Sequence, residues 1–213
     1  MALAVPPTAV KVFVAFGAML ALASGCASFD EWQRRNIFQN ETSARYGDRE
    51  PPPGGVAYEI GLANGEHLHA WYVPADEPNA PTLLFLHGAR RNLSGSYGRI
   101  ELMRSLGFNV LAIDYRGFGR SSHLLPSEQS AIEDTRAAYA DLLQREPDPG
   151  RRFVYGYSLG GALAIDLAAH TDGIAGLIVE STFTRIADLV RASRWHWVPL
   201  LGTIVTQEFD SIG

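Results

Sequence analysis

The 213-residue sequence has one cysteine, no internal repeat and no dense run of basic residues. The single Cys26 excludes a disulfide framework and any zinc site built from cysteine pairs. The 18 Lys+Arg and 23 Asp+Glu residues give a net charge of −5, so we expect no nucleic-acid partner. A chain that is 46% hydrophobic and 19% charged is neither disordered, collagen-like nor a coiled coil. It is instead expected to fold around one apolar core.

The first 25 residues have the pattern of an export signal. Lys11 is the only charged residue before Asp30, and an apolar run over residues 12–22 follows it. Small residues then lead to Cys26. A basic start, an apolar stretch and small residues before a boundary are typical of a secretory signal peptide, here over residues 1–25. The apolar run is shorter than the roughly 20 residues of a membrane span.

This segment resembles a bacterial lipoprotein signal, in which the cysteine becomes the lipidated first residue of the mature protein. The resemblance implies a cell-envelope protein held in a membrane by a fatty-acid anchor on Cys26. Ala27 after the cysteine points to the outer membrane, on its periplasmic or surface side. Ala23 departs from the pattern, because leucine is more usual there. Plain secretion, an uncleaved anchor and a buried cysteine are the alternatives.

The rest of the sequence is predicted to form a tether followed by one α/β domain. Residues 26–55 are polar and end in a proline-rich run, which is typical of an extended spacer. Over residues 56–213, Asn64-Gly65 between two alternating runs predicts a hairpin. An apolar repeat after the cap candidate Ser127 predicts a helix. Strands are predicted at 56–62, 67–73, 82–86, 109–113, 153–155 and 177–179. This alternation predicts a mostly parallel sheet with helices on both faces.

A Gly-x-Ser-x-Gly motif follows one of the predicted buried strands, and a helical stretch follows the motif. Its residues are Gly156, Tyr157, Ser158, Leu159 and Gly160. A sharp turn from strand to helix strains the serine, and only glycine neighbours fit around such a turn. The turn also exposes the serine hydroxyl at the helix N-terminus, which favours developing negative charge. We therefore predict that Ser158 is a nucleophile. The alternative is a glycine-rich turn that only packs a helix on a strand.

A second motif, His87-Gly88-Ala89, directly follows the strand predicted at residues 82–86. In this architecture, the loop after that strand supplies one backbone N–H to an oxyanion hole. The second N–H comes from the residue after the nucleophile. The predicted donors are therefore the N–H groups of Ala89 and Leu159. We expect His87 to brace the loop rather than to act as the catalytic base.

These motifs together resemble the α/β-hydrolase superfamily, and within it the Bem46-like group, which includes the ABHD-type serine hydrolases. The segments that carry the resemblance are 84–89, 114–121, 155–161 and 180–184. It implies the α/β-hydrolase fold and an acyl-enzyme on Ser158. The implied substrate is a small-molecule ester or thioester, with no cofactor. The sequence departs from the group at residues 89–92, where Asn-Ala-Gly-Asn is more common than Ala-Arg-Arg-Asn.

Other chemistry-bearing residues are expected to be structural. Asp114 is expected to bond to the turn at residues 116–119 rather than to act as the catalytic acid. His67 and His69 have the i, i+2 spacing of a metal pair but no third ligand nearby, so we expect a solvated strand face and no metal. The aromatic residues in the segment 191–201 are expected in a lid, where they either line an acyl pocket, touch lipid or simply pack.

A hydrolase serine needs a base and an acid, and the chain order in this fold is serine, acid, histidine. His170 is expected to lie about three turns down the helix that follows the serine, too far to reach it. His196 falls in the lid segment, and Glu180 is a weak candidate for the acid. We therefore expect the acid and histidine beyond Gly213, with the last strands of the sheet missing. A non-catalytic lipoprotein of hydrolase fold and a serine peptidase remain open alternatives.

Overall fold

The computed structural model describes residues 27–183, together with residues 185, 206, 207 and 209. Six strands form one sheet, and helices lie between them in the sequence. The strands are β1 (Val56–Gly61), β2 (His67–Val73), β3 (Thr82–Leu86), β4 (Asn109–Ile113), β5 (Arg152–Tyr157) and β6 (Gly176–Glu180). The helices are α1 (27–38), α2 (Leu93–Ser105), α3 (Glu128–Arg145) and α4 (Leu159–Ala169), with short 3-10 helices at Asn40–Tyr46 and Pro149–Arg151.

The strand order in the sheet is β1-β2-β4-β3-β5-β6. Strand β2 runs opposite to the other described strands and pairs antiparallel with β1 and β4, because it returns from β1 through the predicted hairpin. Gly65 in that turn has a φ of 84°, a conformation that glycine adopts without steric cost. The four strands β4, β3, β5 and β6 are mutually parallel. The prediction of a mostly parallel sheet is confirmed.

Side chains alternate between two apolar layers, one on each face of the sheet. In the buried strand β3, Leu83 and Phe85 join the cluster that includes Ile100 of α2. Leu84 and Leu86 join the opposite cluster, which contains the buried faces of α3 and α4. A strand covered on both faces in this way needs the continuous apolar sequence that β3 has. Helices therefore cover both faces of the sheet, as predicted.

Helix α3 begins at the residue that the sequence indicated. The Ser127 side chain accepts a hydrogen bond from the Ser130 N–H at 3.1 Å. The Ser127 N–H donates in return to Ser130 Oγ at 2.9 Å. This reciprocal pair satisfies two N–H groups that a helix start otherwise leaves without partners.

Residues 27–46 differ from the expected extended tether, because they form α1 and a 3-10 helix that pack on the domain. Phe38 is fully buried in the same cluster as α3 and α4. Arg34 Nε donates to Pro126 O at 2.9 Å, and the Phe38 carbonyl accepts from the Arg90 N–H at 3.0 Å. The segment was predicted to be an extended spacer because its composition is mostly polar. Its few apolar residues, such as Phe38, become buried only through contacts with residues distant in sequence. The boundaries of signal, tether and domain remain predictions.

Strand β6 forms one edge of the sheet, and no described strand pairs with its outer side. Its residues Leu177, Ile178 and Val179 are 39–43% exposed. Within the described part of the chain, no helix combines the length and apolarity needed to cross a bilayer. Residue Cys26, the signal at 1–25 and the lid segment 191–201 with His196 lie outside the described residues.

Candidate active site

Ser158 occupies the turn between β5 and α4 in a strained backbone conformation. Its φ of 53° and ψ of −116° lie in a region that L residues rarely adopt. Its neighbours have no room for side chains. A Cβ on Gly156 would lie 2.6 Å from the Gly161 Cα, and one on Gly160 would lie 2.8 Å from the His87 carbonyl oxygen. The close approach of β5, α4 and the loop after β3 therefore explains the motif glycines.

Three hydrogen bonds hold this turn. The Ser158 N–H donates to the Glu180 carbonyl oxygen at 2.9 Å. The Ser158 carbonyl oxygen accepts from the Gly161 N–H at 2.9 Å and from Thr182 Oγ1 at 3.0 Å. Sequence reasoning did not single out Thr182 as a site residue, although it lies in one of the segments that carry the family resemblance. The backbone of Ser158 is thus fixed on both sides, while its side chain remains partly exposed.

The loop after β3 lies directly against the serine. A Cβ on Gly88 would be 3.2 Å from Ser158 Cβ and 3.0 Å from Tyr157 Cδ1. Ala89 follows in this loop, and the buried Leu159 is the first residue of α4. Neither N–H of these two residues donates to an acceptor in the described part of the chain. The structure thus brings the loop of Ala89 and the N-terminus of α4 together beside Ser158, and their roles as donors stay a prediction.

His87 is a buried support for this loop. Its Nδ1 donates to the Gly88 carbonyl oxygen at 2.8 Å, and its own carbonyl oxygen accepts from Tyr115 Oη at 3.1 Å. The rings of Tyr115 and Phe118 pack on the imidazole, with centroids 4.5 and 5.2 Å away. Burial lowers the pKa of His87, which favours the neutral ring. These contacts bind His87 into the loop, and its not acting as the catalytic base stays a prediction.

Asp114 is structural, but its partners are not the expected ones. Its Oδ1 accepts from the Leu93 N–H at the start of α2 at 2.8 Å, and its Oδ2 lies 3.1 Å from His69 Nδ1. The expected side-chain bond to the turn at 116–119 is absent among the described contacts. Instead, Gly119 packs so closely against the carboxylate that a Cβ there would overlap it. The Asp114 carboxylate therefore links the start of α2 to β2.

His69 is only 6% exposed, so the expectation that it lies on a solvated strand face is wrong. The reason is that the segment 114–121 folds over this end of β2: Ser121 Oγ accepts from the His69 N–H at 2.8 Å. His67 is more exposed and bonds to Ser122 Oγ at 3.1 Å. Within the described residues, no group of three or more histidine, cysteine or acidic side chains is arranged to hold a metal ion.

Glu180 is engaged in an ion pair next to the serine turn. Its Oε1 pairs with Arg99 Nη2 at 2.9 Å, and its Oε2 accepts from Tyr155 Oη at 2.5 Å. The bonds from Arg99 and Tyr155 lower the pKa of Glu180, so it is ionised at neutral pH. The Arg99 guanidinium also lies 4.0 Å from the centroid of the Tyr157 ring. Sequence reasoning missed Arg99, because its partners come from two distant strands.

No described histidine hydrogen-bonds to the Ser158 hydroxyl. His170 ends α4, where its Nδ1 bonds to the Asp166 carbonyl oxygen at 2.8 Å. It therefore lies at the other end of the helix from Ser158, about 18 Å away at 1.5 Å per residue. This agrees with the expectation that it cannot reach.

In the described residues, a mostly parallel sheet of six strands has helices on both faces and a strained serine between strand and helix, which is typical of an α/β hydrolase. Residues 77–208 match the model of the family described as serine aminopeptidase, S33, which exceeds half of the chain. The chain belongs to this family of α/β hydrolases.

Relatives and solved structures agree with this assignment. YfhR of Escherichia coli, itself uncharacterized, is 30% identical over 182 residues, which are 82% of this chain and 62% of that protein. Protein bem46 of Schizosaccharomyces pombe is 38% identical over 116 residues, covering 52% of this chain and 38% of that protein. The Pyrococcus furiosus esterase Pf2001 superposes with a TM-score of 0.57 at 22% identity, over 74% of this chain and 68% of the esterase. The chain thus spans less than two thirds of the length of these two relatives.

Proposed function

We propose that this protein is a serine hydrolase that cleaves an ester or thioester through an acyl-enzyme on Ser158. The observation that carries the proposal is the strained conformation of Ser158 beside the Gly88 loop. Strain of this kind, at about 1–3 kcal/mol, persists only where surrounding structure holds it, and it clusters at functional sites. Here β6, Thr182 and closely packed glycines hold it. The presence of esterases such as Pf2001 among the structural neighbours is consistent with this chemistry.

In the proposed reaction, Ser158 Oγ attacks the acyl carbonyl carbon and gives its proton to a general base. The resulting oxyanion accepts hydrogen bonds from the N–H groups of Ala89 and Leu159. Each such donor is worth about 10²–10³ in rate. Collapse of the intermediate forms the serine ester and releases the alcohol or thiol, which takes the proton. Water then attacks the carbonyl carbon of the serine ester, which releases the carboxylic acid and restores the Ser158 hydroxyl. A histidine outside the described residues supplies the base in this proposal.

A fluorophosphonate probe tests the nucleophile directly, because it forms a covalent bond only with an activated serine. We expect one labelled site, lost in Ser158→Ala. Ser105→Ala is the matched control, since Ser105 is an exposed serine on α2 that bonds only to its own helix. Absence of labelling in the folded parent protein would refute the proposal and favour a non-catalytic scaffold of hydrolase fold.

Peptide hydrolysis is the second candidate, because the matching family is described as serine aminopeptidase. The same serine and N–H donors serve esters and amides, and the leaving group decides between them. Comparison of p-nitrophenyl esters with aminoacyl p-nitroanilides separates the two. We expect turnover of the esters. Faster turnover of the anilides would establish the peptidase instead.

We also propose that the protein is anchored in the cell envelope by a lipid on Cys26. The proposal is supported by the signal-like composition of residues 1–25. Incorporation of labelled palmitate and recovery in the membrane fraction are the expected results for the parent protein. Cys26→Ser should abolish both. Membrane recovery that is unchanged in this variant would instead indicate an uncleaved apolar anchor.

A further inference from the structure

The loop beside Ser158 continues into two arginines. Gly88 contacts the serine, and Arg90 follows two residues later, so its Cα lies at most about 7.6 Å from the Gly88 Cα. The Arg90 side chain is exposed. An extended arginine side chain is several ångströms long, so its length is sufficient to span from this loop to a substrate bound at Ser158.

Arg90 occupies a backbone conformation that disfavours a side chain. Its φ is 65°, which costs an L residue roughly 1–2 kcal/mol. The bond from its N–H to the Phe38 carbonyl oxygen, 3.0 Å long, holds this conformation. Glycine would fit the position at lower cost, so the presence of a long cationic side chain there calls for a role outside the packing of the loop.

Further arginines lie along the surface that joins this loop to α2. The guanidinium carbons of Arg45 and Arg91 lie 5.3 and 5.4 Å from the centroid of one ring, that of Tyr46. Tyr46 packs on α2 so closely that a Cβ on Gly95 would lie 2.7 Å from its Cγ. A fourth arginine, Arg49, lies 5.6 Å from the ring centroid of Tyr97 on the same helix. We call Arg45, Arg49, Arg90 and Arg91 the arginine cluster.

The arginine cluster carries uncompensated positive charge. None of its members forms an ion pair with a carboxylate in the part of the chain that the structure describes, whereas neighbouring acids pair elsewhere. Asp48 and Glu50 both bind Arg120, and Glu180 binds Arg99. The patch is therefore cationic on a protein whose net charge is −5. Such a local field attracts anions.

The chemistry of the cluster suits a carboxylate or a phosphate. Lys11 is the single lysine of the sequence, and the other 17 of its 18 Lys+Arg residues are arginines. A guanidinium presents a planar fork of donors that matches two oxygens of either group at once. Arg91 uses one donor on the Gly95 carbonyl oxygen at 2.7 Å, which orients the group and leaves other N–H donors available.

We propose that the arginine cluster binds an anionic group, a carboxylate or phosphate, carried by the substrate whose acyl bond is cleaved at Ser158. This inference rests on the proposed function and narrows its substrate class to acidic esters or thioesters. Arg90 and Arg91 follow Gly88 in the loop that contacts the serine. Arg45 and Arg49 add positive charge where residues 45–49 pack on α2.

The first experiment compares two esters of equal acyl length. The mono-p-nitrophenyl ester of glutaric acid carries a free carboxylate, and p-nitrophenyl valerate is its neutral counterpart. We expect a higher kcat/KM for the acidic ester, and a loss of about tenfold or more in this preference when Arg90 and Arg91 are both changed to alanine. Arg136→Ala is the matched control, because Arg136 is an exposed arginine on α3 that pairs with Asp166. A preference that is unchanged in the double variant would overturn the inference.

The second experiment does not require turnover. Calorimetry with phenyl phosphate should show binding to the parent protein and to Arg136→Ala, and binding at least several-fold weaker in the double variant. Vesicles of phosphatidylglycerol are compared with vesicles of phosphatidylcholine to identify a lipid headgroup as the source of the anion. Binding of the phosphatidylglycerol vesicles alone, lost in the double variant, assigns the cluster to a lipid. Equal behaviour of parent and double variant with both probes refutes the cluster as an anion site.

The two proposals fail separately. If the fluorophosphonate probe does not label Ser158, the hydrolase proposal fails while calorimetry still decides on anion binding. If Ser158 is labelled and neither probe distinguishes the double variant, only the anionic substrate class fails.

Discussion

The Ser158 N–H and the Glu180 carbonyl oxygen are joined by a 2.9 Å hydrogen bond. The backbone of Glu180 thus holds the strained serine from the edge strand β6. The side chain of the same residue pairs with Arg99 of α2 and accepts from Tyr155 of β5. One residue therefore connects the serine turn to α2, β5 and β6, and both of its carboxylate oxygens are engaged by Arg99 and Tyr155.

The Arg99–Glu180 pair is expected to affect reactivity more than stability. Both side chains are partly exposed, and pairs of this kind contribute about 0–1 kcal/mol. Arg99 also covers the Tyr157 ring, which contacts Gly88. We expect Arg99→Met to change the free energy of unfolding by less than about 1 kcal/mol, yet to slow labelling of Ser158 several-fold. Urea unfolding and the rate of fluorophosphonate labelling measure the two effects.

Arg104→Met is the control for that variant. Arg104 lies on the same helix and pairs with a surface carboxylate, Asp76, at 2.5 Å. The Arg104→Met variant should label Ser158 at the rate of the parent protein. Equal labelling rates in the two variants would show that Arg99 has no positioning role.

The glycine before the serine turn should tolerate no side chain. In Gly156→Ala, the new Cβ would lie 2.6 Å from the Gly161 Cα and 2.5 Å from the Gly160 carbonyl carbon. Backbone atoms cannot move aside cheaply, so we expect a loss of about 2–3 kcal/mol in the free energy of unfolding and reduced labelling of Ser158. By contrast, Gly98→Ala on α2 meets nothing within 4 Å and should stabilise the protein by about 0.5–1 kcal/mol. Parent-like labelling and stability of Gly156→Ala would contradict the packing described for the turn.

His87 should make the protein less stable in mild acid. Burial lowers the pKa of its imidazole in the folded state below the usual value of about 6.5. The unfolded chain therefore binds more protons below that pH, and the free energy of unfolding falls as the pH falls through and below about 6.5. Urea unfolding between about pH 7.5 and about pH 5 measures this slope. The slope should decrease in His87→Asn and persist in His170→Asn, whose parent residue is exposed.

Asp134 titrates in the same pH range, but its effect on the free energy of unfolding is opposite to that of His87. Burial raises its pKa to about 6 despite its pairing with Arg116. Its protonation favours the folded state as the pH falls below that value. The contribution of His87 is therefore the difference between parent and His87→Asn, and an identical slope in both would disprove it.

The Arg116–Asp134 pair should behave as a unit. Arg116 Nε lies 2.6 Å from Asp134 Oδ1, and the side chain of Asp134 is fully buried. Glu66 and Glu133 also pair with the guanidinium, and its Nη2 donates to the Ser130 carbonyl oxygen at 3.4 Å. Arg116→Met leaves a buried carboxylate without its cation, so we expect a loss of about 3 kcal/mol in the free energy of unfolding. Adding Asp134→Leu should recover part of it, because no unpaired charge then remains at this position. A double variant whose loss equals the sum of both single losses would contradict this coupling.

Local sequence patterns predicted most of the sheet. The strands Thr82–Leu86 and Asn109–Ile113 begin and end where their apolar runs do, because both faces are buried. The turn at Ser158 was predictable because Gly156 and Gly160, two residues before and two residues after the serine, indicate a close approach of backbone segments. These signals lie within a few residues of the feature that they predict.

The remaining contacts depend on residues that are distant in sequence. The burial of His69 arises from a segment about 50 residues away, which no pattern around His69 indicates. The same holds for Arg99, whose partner Glu180 lies on β6. Helix α1 was missed because its buried side is narrow, and its burial requires the loop that contains Arg90.

Under the proposed lipidation of Cys26, the packing of α1 would set the distance between the domain and the membrane. A lipid on Cys26 would be followed at once by the helix, which is about 18 Å long, and then by Phe38, whose carbonyl oxygen binds the loop of the reactive serine. An extended, flexible linker after Cys26 would let the domain move through a wide volume. The packed helix α1 would instead confine it to a thin layer at the bilayer surface. Substrates that diffuse in that bilayer would then be met in two dimensions, at a local concentration that soluble competitors in the surrounding fluid do not reach.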